Sequence, residues 1–362
     1  MSRDLQLKIK QLLLIIAAWM IVGFFISIYD YLVIKTDFLG QPVEGYSFLF
    51  SVIRNTGAGL IGGILGGGFL VFYINVRYAD KPYGHTILAV SVSFILIVAL
   101  ISLVMALTIV PYQTGKPLFD PLTRGAVVTF LTDAGPLKAL LSWSFVVAIT
   151  QLFLQVSYKF GPVTFWNIII GKYQTPKEER RIFMFLDLNS STTMAETLGD
   201  EIYHALLKDF FADITLPILE NKGQIYQYVG DEVVISWDHR DGTENNRCVR
   251  CFYDIQLAIQ KKKEKYLYRY GLLPSFKAGI HGGRVVAGEV GIIKRDITYS
   301  GDVLNTTSRV QSMCKEFNVE LIASEDLTRE LPMSASYTAR PLGLIKLRGK
   351  GNEMLLHELR FI

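Results

Sequence analysis

Two aspartates 44 residues apart, Asp187 and Asp231, are the residues of this 362-residue chain best placed to do chemistry. Asp187 closes the apolar run IFMFLD (182–187), and a carboxylate ending such a run is not ordinary surface. Asp231 follows Gly230 at the tip of QIYQYVGDEVVISW (224–237), a strand–turn–strand pattern. Carboxylates on two adjacent strand edges make a site for divalent cations, and paired cations handle phosphates.

The elements that must hold these aspartates alternate between strands and helices from about residue 181. RIFMFLDL is a strand, 194–219 an amphipathic helix, 224–237 a hairpin and 245–269 one long helix. SFKAGIHGG and RVVAGEVG are strands, 302–317 is a helix, VELIASE is a strand with a short helix after it, and the tail supplies two more strands. That order predicts an α+β domain with a mixed sheet and flanking helices.

The first half is different. Half of the chain is hydrophobic, and the surplus lies before residue 160. Four segments, 11–29, 56–76, 86–110 and 139–158, are long enough to cross a bilayer and hold no Asp, Glu, Lys or Arg. They predict an all-α four-helix transmembrane bundle. The first is no cleavable signal, because it is long and has no small-residue cleavage site behind it. Without ionisable residues, the spans offer no proton relay, and His85 alone makes no haem site. Gly59, Gly63 and Gly67 recur every four residues in the second span, as do Gly62 and Gly66. Small residues at that spacing serve a dimer contact or packing inside one bundle.

Basic residues set the orientation. Arg3, Lys8 and Lys10 precede the first span, Arg77 and Lys81 join the second to the third, and Lys159, Lys172, Lys177, Arg180 and Arg181 follow the fourth. The other two connections carry Asp30, Asp37, Glu44, Asp120 and Asp133, and within them YSFLFSVI and GAVVTFL lie at the interface or against the bundle. Both termini and the second half therefore belong in the cytoplasm, with the spans in the plasma membrane. The expected organisation is 1–158 transmembrane, 159–180 a coupling linker and 181–362 a cytoplasmic catalytic domain.

A net charge of +4, with KKKEK (261–265) as the longest basic run, does not argue for nucleic acid as a partner. Cys248 and Cys251 are three apart and mark one helical face; no second pair completes a zinc site.

From about 178 to 362 the chain resembles the class III nucleotidyl cyclase catalytic domain. The resemblance rests on FLDLNSST, QYVGDEVV, GIHGGRVVAGEVG, TYSGDVLNTTSR and RGKG, in that order. Such enzymes join a ribose 3′-hydroxyl to the α-phosphate of a nucleoside triphosphate and release pyrophosphate. The resemblance implies two Mg2+ or Mn2+ ions on Asp187 and Asp231, and a homodimer with active sites at its interface. Leu188, Asn189, Ser190, Ser191 and Thr192 then belong to the triphosphate loop, where a helix opens and its free N–H groups face the phosphates. Ser and Thr there are also ordinary helix caps. Asn305 is expected to orient the ribose and Arg309 to stabilise charge on the α-phosphate; four residues apart, they share a helix face. Lys350 is expected at the distal phosphates.

The chain departs from the family pattern at three places. DLNSST replaces D-x-x-G-F-T, Gln227 stands where a lysine commonly reads the base, and Thr298 stands where an aspartate often does. Gln227 donating to adenine N1 and Thr298 accepting from the amino group make ATP the expected substrate and cyclic AMP the product. A guanylate or other nucleotide cyclase is the alternative, as is a membrane receptor with a degenerate cyclase domain. A diguanylate cyclase is opposed by Val229 and by everything from GIHGG to NTTSR, which has no place in that family.

Overall fold

The structure is a computed structural model that describes residues 3–35, 46–78, 81–293, 295–332 and 337–361. Asp37 and Glu44 lie outside the described residues. The chain divides into two compact units, one of Leu5–Trp166 and one built mainly from Asn167–Ile362.

In the first unit four helical stretches are long and apolar enough to cross a membrane: Asp4–Ile34, Phe48–Ile74, Tyr83–Leu100 and Pro121–Phe160. Each begins before the corresponding apolar run of the sequence. The second starts at Phe48, so it absorbs FLFSVI, which the sequence placed at the interface or against the bundle. The longer helices also enclose an ion pair. Both carboxylate oxygens of the buried Asp30 lie 2.6 Å from the Lys138 ammonium. The pair lies just outside the segments 11–29 and 139–158, which themselves hold no ionisable residue.

The glycine ladder is an intrachain contact. A Cβ at Gly59 would stand 2.5 Å from the Trp19 carbonyl oxygen, and one at Gly63 2.9 Å from the Ile16 Cα. Gly62 and Gly66 face the Trp19 ring. Close approach of the first two spans therefore explains these small residues.

The second unit holds an eight-stranded mixed sheet. Its strands are β1 (Lys177–Leu188), β2 (Gln224–Val229), β3 (Glu232–Asp238), β4 (Phe276–Val290), β5 (Asp296–Ser300), β6 (Leu321–Ser324), β7 (Tyr337–Ile345) and β8 (Met354–Phe361). The order is β2-β3-β1-β4-β6-β8-β7, with β5 paired to β4. Among the described residues, β4 and β6 are the one pair that runs parallel. Two readings of local structure are corrected. SFKAGIHGG and RVVAGEVG form one strand, β4, because Gly282 and Gly283 continue its pairing with β1; a Cβ at Gly283 would meet Val303 at 2.7 Å. The helix expected over 194–219 is two, Ser191–Leu198 and Asp200–Glu220, broken at Gly199 with φ +75°. The helix expected over 245–269 likewise divides at Lys262 into Arg247–Lys261 and Lys263–Tyr270.

The alternation of β1 sorts its side chains between two cores. Ile182, Met184, Leu186 and Leu188 face the helices through Leu206, Phe210, Phe252 and Ile255. Phe183 faces the other way, toward Val234, Val285 and Val303, with Phe185 packed alongside. Asp187 falls on this second face.

The segment before β1 is built into this unit. Tyr173 is 1% exposed, its hydroxyl donates to Glu179 at 3.1 Å, and it accepts from Lys172 and from the buried Arg181. Arg181 also lies 5.0 Å from the Tyr299 ring.

His281 on β4 gives the unit an acid-sensitive point. Burial pushes its pKa down to about 4, and its Nδ1 lies 2.7 Å from the Ser324 hydroxyl. Below about pH 6.5 the unfolded chain binds a proton that the folded ring refuses. Stability should fall by up to about 3 kcal/mol between pH 6.5 and 4, and not change on this account above pH 6.5. In thermal denaturation of the full chain in detergent, His281→Gln should flatten that acid-side drop; an unaltered pH profile would contradict it.

Candidate active site

The register of the sheet decides what surrounds Asp187. On one side it pairs with Glu232 of β3, on the other with Lys277 of β4. Directly opposed residues of paired strands point to the same face, so a carboxylate and an ammonium flank it. The Lys277 ammonium stands 3.4 Å from its Oδ2, and the Gln311 amide donates to the same oxygen at 3.2 Å from the Asp302–Phe317 helix.

The β2–β3 turn delivers the second aspartate. Gly230 turns with φ +64°, a conformation that favours glycine, and Asp231 follows. Burial first, and then the Asp231 charge, raises the Asp187 pKa above the usual carboxylate range, against the pull of Lys277. The same causes act harder on Glu232: burial and the charges of Asp187 and Asp231 push it up to about 7. Tyr203 completes the cluster, its pKa raised by burial and by the nearby Asp231 charge.

This donor set fits a divalent cation. Three crowded carboxyl groups repel one another, and Lys277 and Gln311 only partly offset that repulsion. A cation between Asp187 and Asp231 removes the conflict. Among the described residues no group of three or more His, Cys, Asp or Glu side chains is arranged as a ready ligand set, so a cation held here would need further oxygens from outside the chain.

The expected loop residues divide. Leu188 is 1% exposed in the helix-facing core, so its side chain cannot touch a nucleotide. Asn189 is bound to Ser275 through its backbone and its side chain. Ser190 adopts φ +56° before the Ser191–Leu198 helix, without a side-chain cap. Capping by Ser190 therefore does not account for this serine. Thr192 is exposed in the first turn of that helix.

A second cluster sits on the opposite side of the Asp302–Phe317 helix. Arg309 and Gln311 are two residues apart, about 200° around the axis. Gln311 turns to Asp187, while the Arg309 guanidinium lies 3.3 Å from where a Gly349 Cβ would stand. Lys350 in the same turn is paired with Asp302. Asn305 is exposed. Within one chain, among the described residues, no hydrogen bond or ion pair joins Asn305, Arg309 or Lys350 to Asp187 or Asp231.

The two base-reading candidates stand next to a ring pair. The Tyr226 and Tyr299 rings meet at 5.1 Å, edge to face. The neighbouring Gln227 is exposed beside a bulge in β2, and Thr298 is half-buried on β5.

Sequence reasoning missed Glu232, Lys277, Gln311 and Tyr203. Glu232 is visible as the residue after Asp231. Lys277 and Gln311 become legible only with the β1–β4 register and the helix face fixed.

A family model for the adenylate and guanylate cyclase catalytic domain matches residues 174–359. Adenylate cyclase 2 of Rhizobium meliloti (strain 1021) is 35% identical over 206 residues, 57% of this chain and 57% of that protein. The adenylate cyclase of Anabaena cylindrica is 29% identical over 201 residues, 54% of this chain and 39% of that protein. The chain thus spans about half the length of the curated relatives it matches. A bacterial light-regulated adenylyl cyclase structure superposes with a TM-score of 0.52 at 21% identity, covering 62% of this chain and 64% of that one; it shares the fold.

Proposed function

This chain belongs to the adenylate and guanylate cyclase catalytic domain family, and from that premise we propose that it is a membrane-bound adenylate cyclase. It would convert ATP to 3′,5′-cyclic AMP and pyrophosphate. The observation that carries the reading is the Asp187–Asp231 edge, crowded with carboxylates and flanked by Lys277.

In the reaction the O3′–Pα bond forms, the bond from Pα to the pyrophosphate oxygen breaks, and the 3′-hydroxyl proton departs. Asp187 and Asp231 would hold two Mg2+ or Mn2+ ions, which when bound lower the pKa of the 3′-hydroxyl and neutralise the leaving pyrophosphate. Arg309 is suited to donate its fork of N–H groups to the α-phosphate as charge builds there. Asn305 would fix the ribose. Lys350 must exchange Asp302 for the distal phosphates, so it serves only once nucleotide arrives.

The separation of the two clusters supports a homodimer in which each site takes Asp187 and Asp231 from one chain and Asn305 and Arg309 from the other. Exposed apolar residues on the β2–β3 and β4–β5 hairpins, among them Tyr228, Val229, Val286 and Val290, offer a surface for a second copy.

Purified chain given Mg2+ or Mn2+ and each nucleoside triphosphate, with products identified by mass spectrometry, should yield mainly cyclic AMP. A mismatched polar group costs about 1–3 kcal/mol, so ATP should be favoured over GTP by roughly 5- to 150-fold. Gln227→Lys with Thr298→Asp should sharpen that preference. Equal or greater turnover of GTP, UTP or CTP by the unaltered chain would overturn the ATP assignment.

The helical unit would anchor the enzyme in the plasma membrane with both termini cytoplasmic. Cys248, Cys251 and Cys314 are buried, which leaves introduced cysteines readable. Asp120→Cys should react with an impermeant maleimide from outside, and Ser300→Cys only after the membrane is opened. The reverse pattern would contradict this topology.

A further inference from the structure

At the end of the helical unit nearest the chain's exit, three helical stretches line an open cavity of about 220 Å3. Asn75 enters it from the close of the second span, Thr86 from the start of the Tyr83–Thr114 helix, and Gln151 and Gln155 from the Ala134–Phe160 helix. Gln151 is fully buried and Gln155 is 7% exposed. Both ends of the Gln151 amide, the Gln155 Oε1 and the Asn75 Nδ2 have no hydrogen-bond partner. Two amide donors and two amide acceptors are therefore left open in one cavity. Buried polar groups are normally satisfied, and all the more so in a membrane, where lipid tails offer no hydrogen bonds.

The lining restricts the occupant. It contains no carboxylate, and its one charged side chain is Lys159 at the rim. Lys159 suits a negatively charged group at the rim, and the open amides suit groups further in that both donate and accept. Hydroxyls meet the second need. The position restricts it too. Tyr78, Tyr83 and Tyr158 join Lys159 around the cavity, and tyrosine and lysine are residue types of the membrane–water boundary. Gln151 lies about 12 Å deeper along its helix. Arg77 and Lys81 stand at the same end and add positive charge.

We propose that this cavity binds the head of an anionic phospholipid that carries hydroxyls, of the phosphatidylglycerol kind. Its phosphate meets Lys159 at the rim, and its head glycerol turns inward from the phosphate into the cavity, its hydroxyls toward Gln155 and Asn75 first and Gln151 beyond them. Free glycerol phosphate has the same chemistry but arrives from water, without acyl chains to hold it at the boundary. The inference rests on the helical unit lying in a membrane and is independent of the cyclase reading. Flotation of the chain with vesicles tests the membrane placement separately.

The full chain is reconstituted in phosphatidylcholine nanodiscs with or without about one-tenth phosphatidylglycerol, then released into mild detergent for native mass spectrometry. The wild type should retain phosphatidylglycerol at least about tenfold over phosphatidylcholine. Gln151→Leu with Gln155→Leu should abolish that preference. Lys159→Gln, an exposed change that spares the fold, should weaken it. Equal retention of the two lipids by the wild type, or a preference unchanged in both variants, would overturn the proposal. Displacement of the lipid by millimolar glycerol 3-phosphate would overturn the lipid source. A double-Leu variant that gains thermal stability while its lipid preference persists would show that water alone fills the cavity, and would also overturn it.

Discussion

Asp187→Asn and Asp231→Asn, each introduced into the full chain, are expected to leave cyclic nucleotide formation below about one per cent of wild type. The same substitutions should preserve or raise thermal stability in the absence of divalent metal. The two effects share one cause. The Asp187 carboxyl is held above its ordinary pKa by burial and by Asp231, so its ionised form is unfavourable in the metal-free fold. An asparagine of the same shape removes that charge and keeps a polar group beside Lys277 and Gln311. It also removes the charge that a divalent cation needs. A simple structural role would lower both readouts together. Activity above a few per cent in both variants, or collapse of the fold in either, would contradict the assignment. The stability arm is read by thermal denaturation in EDTA, the activity arm by product formation with Mg2+ or Mn2+.

Asp187 was legible in the sequence because the physics around it is local. A strand that alternates between two buried faces cannot spend a carboxylate at its end without a reason, and IFMFLD announces both the strand and the exception. Asp231 was legible for a related reason, since a Gly-Asp turn between two apolar runs implies the hairpin that places it. The rest of the cluster depends on non-local register. Lys277 reaches Asp187 through the antiparallel register of β4 against β1, which pairs the two residues directly. Read as two shorter strands, that segment gave no reason to single out Lys277.

Gln311 was hidden by the motif beside it. Attention to Asn305 and Arg309 picks one face of their helix, and Gln311 is on the other. The helical unit shows the same division between local and non-local signals. Four apolar runs are plain in the sequence, but the pairing of Asp30 with Lys138, 108 residues away, is not. The glycine ladder was visible as a ladder, but its partner, the first span with Trp19 and Ile16, was not.

In the proposed homodimer one active site is assembled from two chains, with Asp187 and Asp231 from one and Asn305 and Arg309 from the other. The structure keeps these sets on opposite sides of the Asp302–Phe317 helix, where Gln311 meets Asp187 and Arg309 meets the Gly349 turn. Twofold symmetry then creates two equivalent sites, and each defective chain spoils a different half of a site. The direct measurement co-expresses an Asp187→Ala chain and an Arg309→Ala chain with different tags and purifies the complex through both. One of its two sites then combines intact Asp187 with intact Arg309, so the heterodimer should recover about half of wild-type cyclic AMP formation from two inactive parents. A doubly tagged complex as inactive as either parent would contradict the shared site.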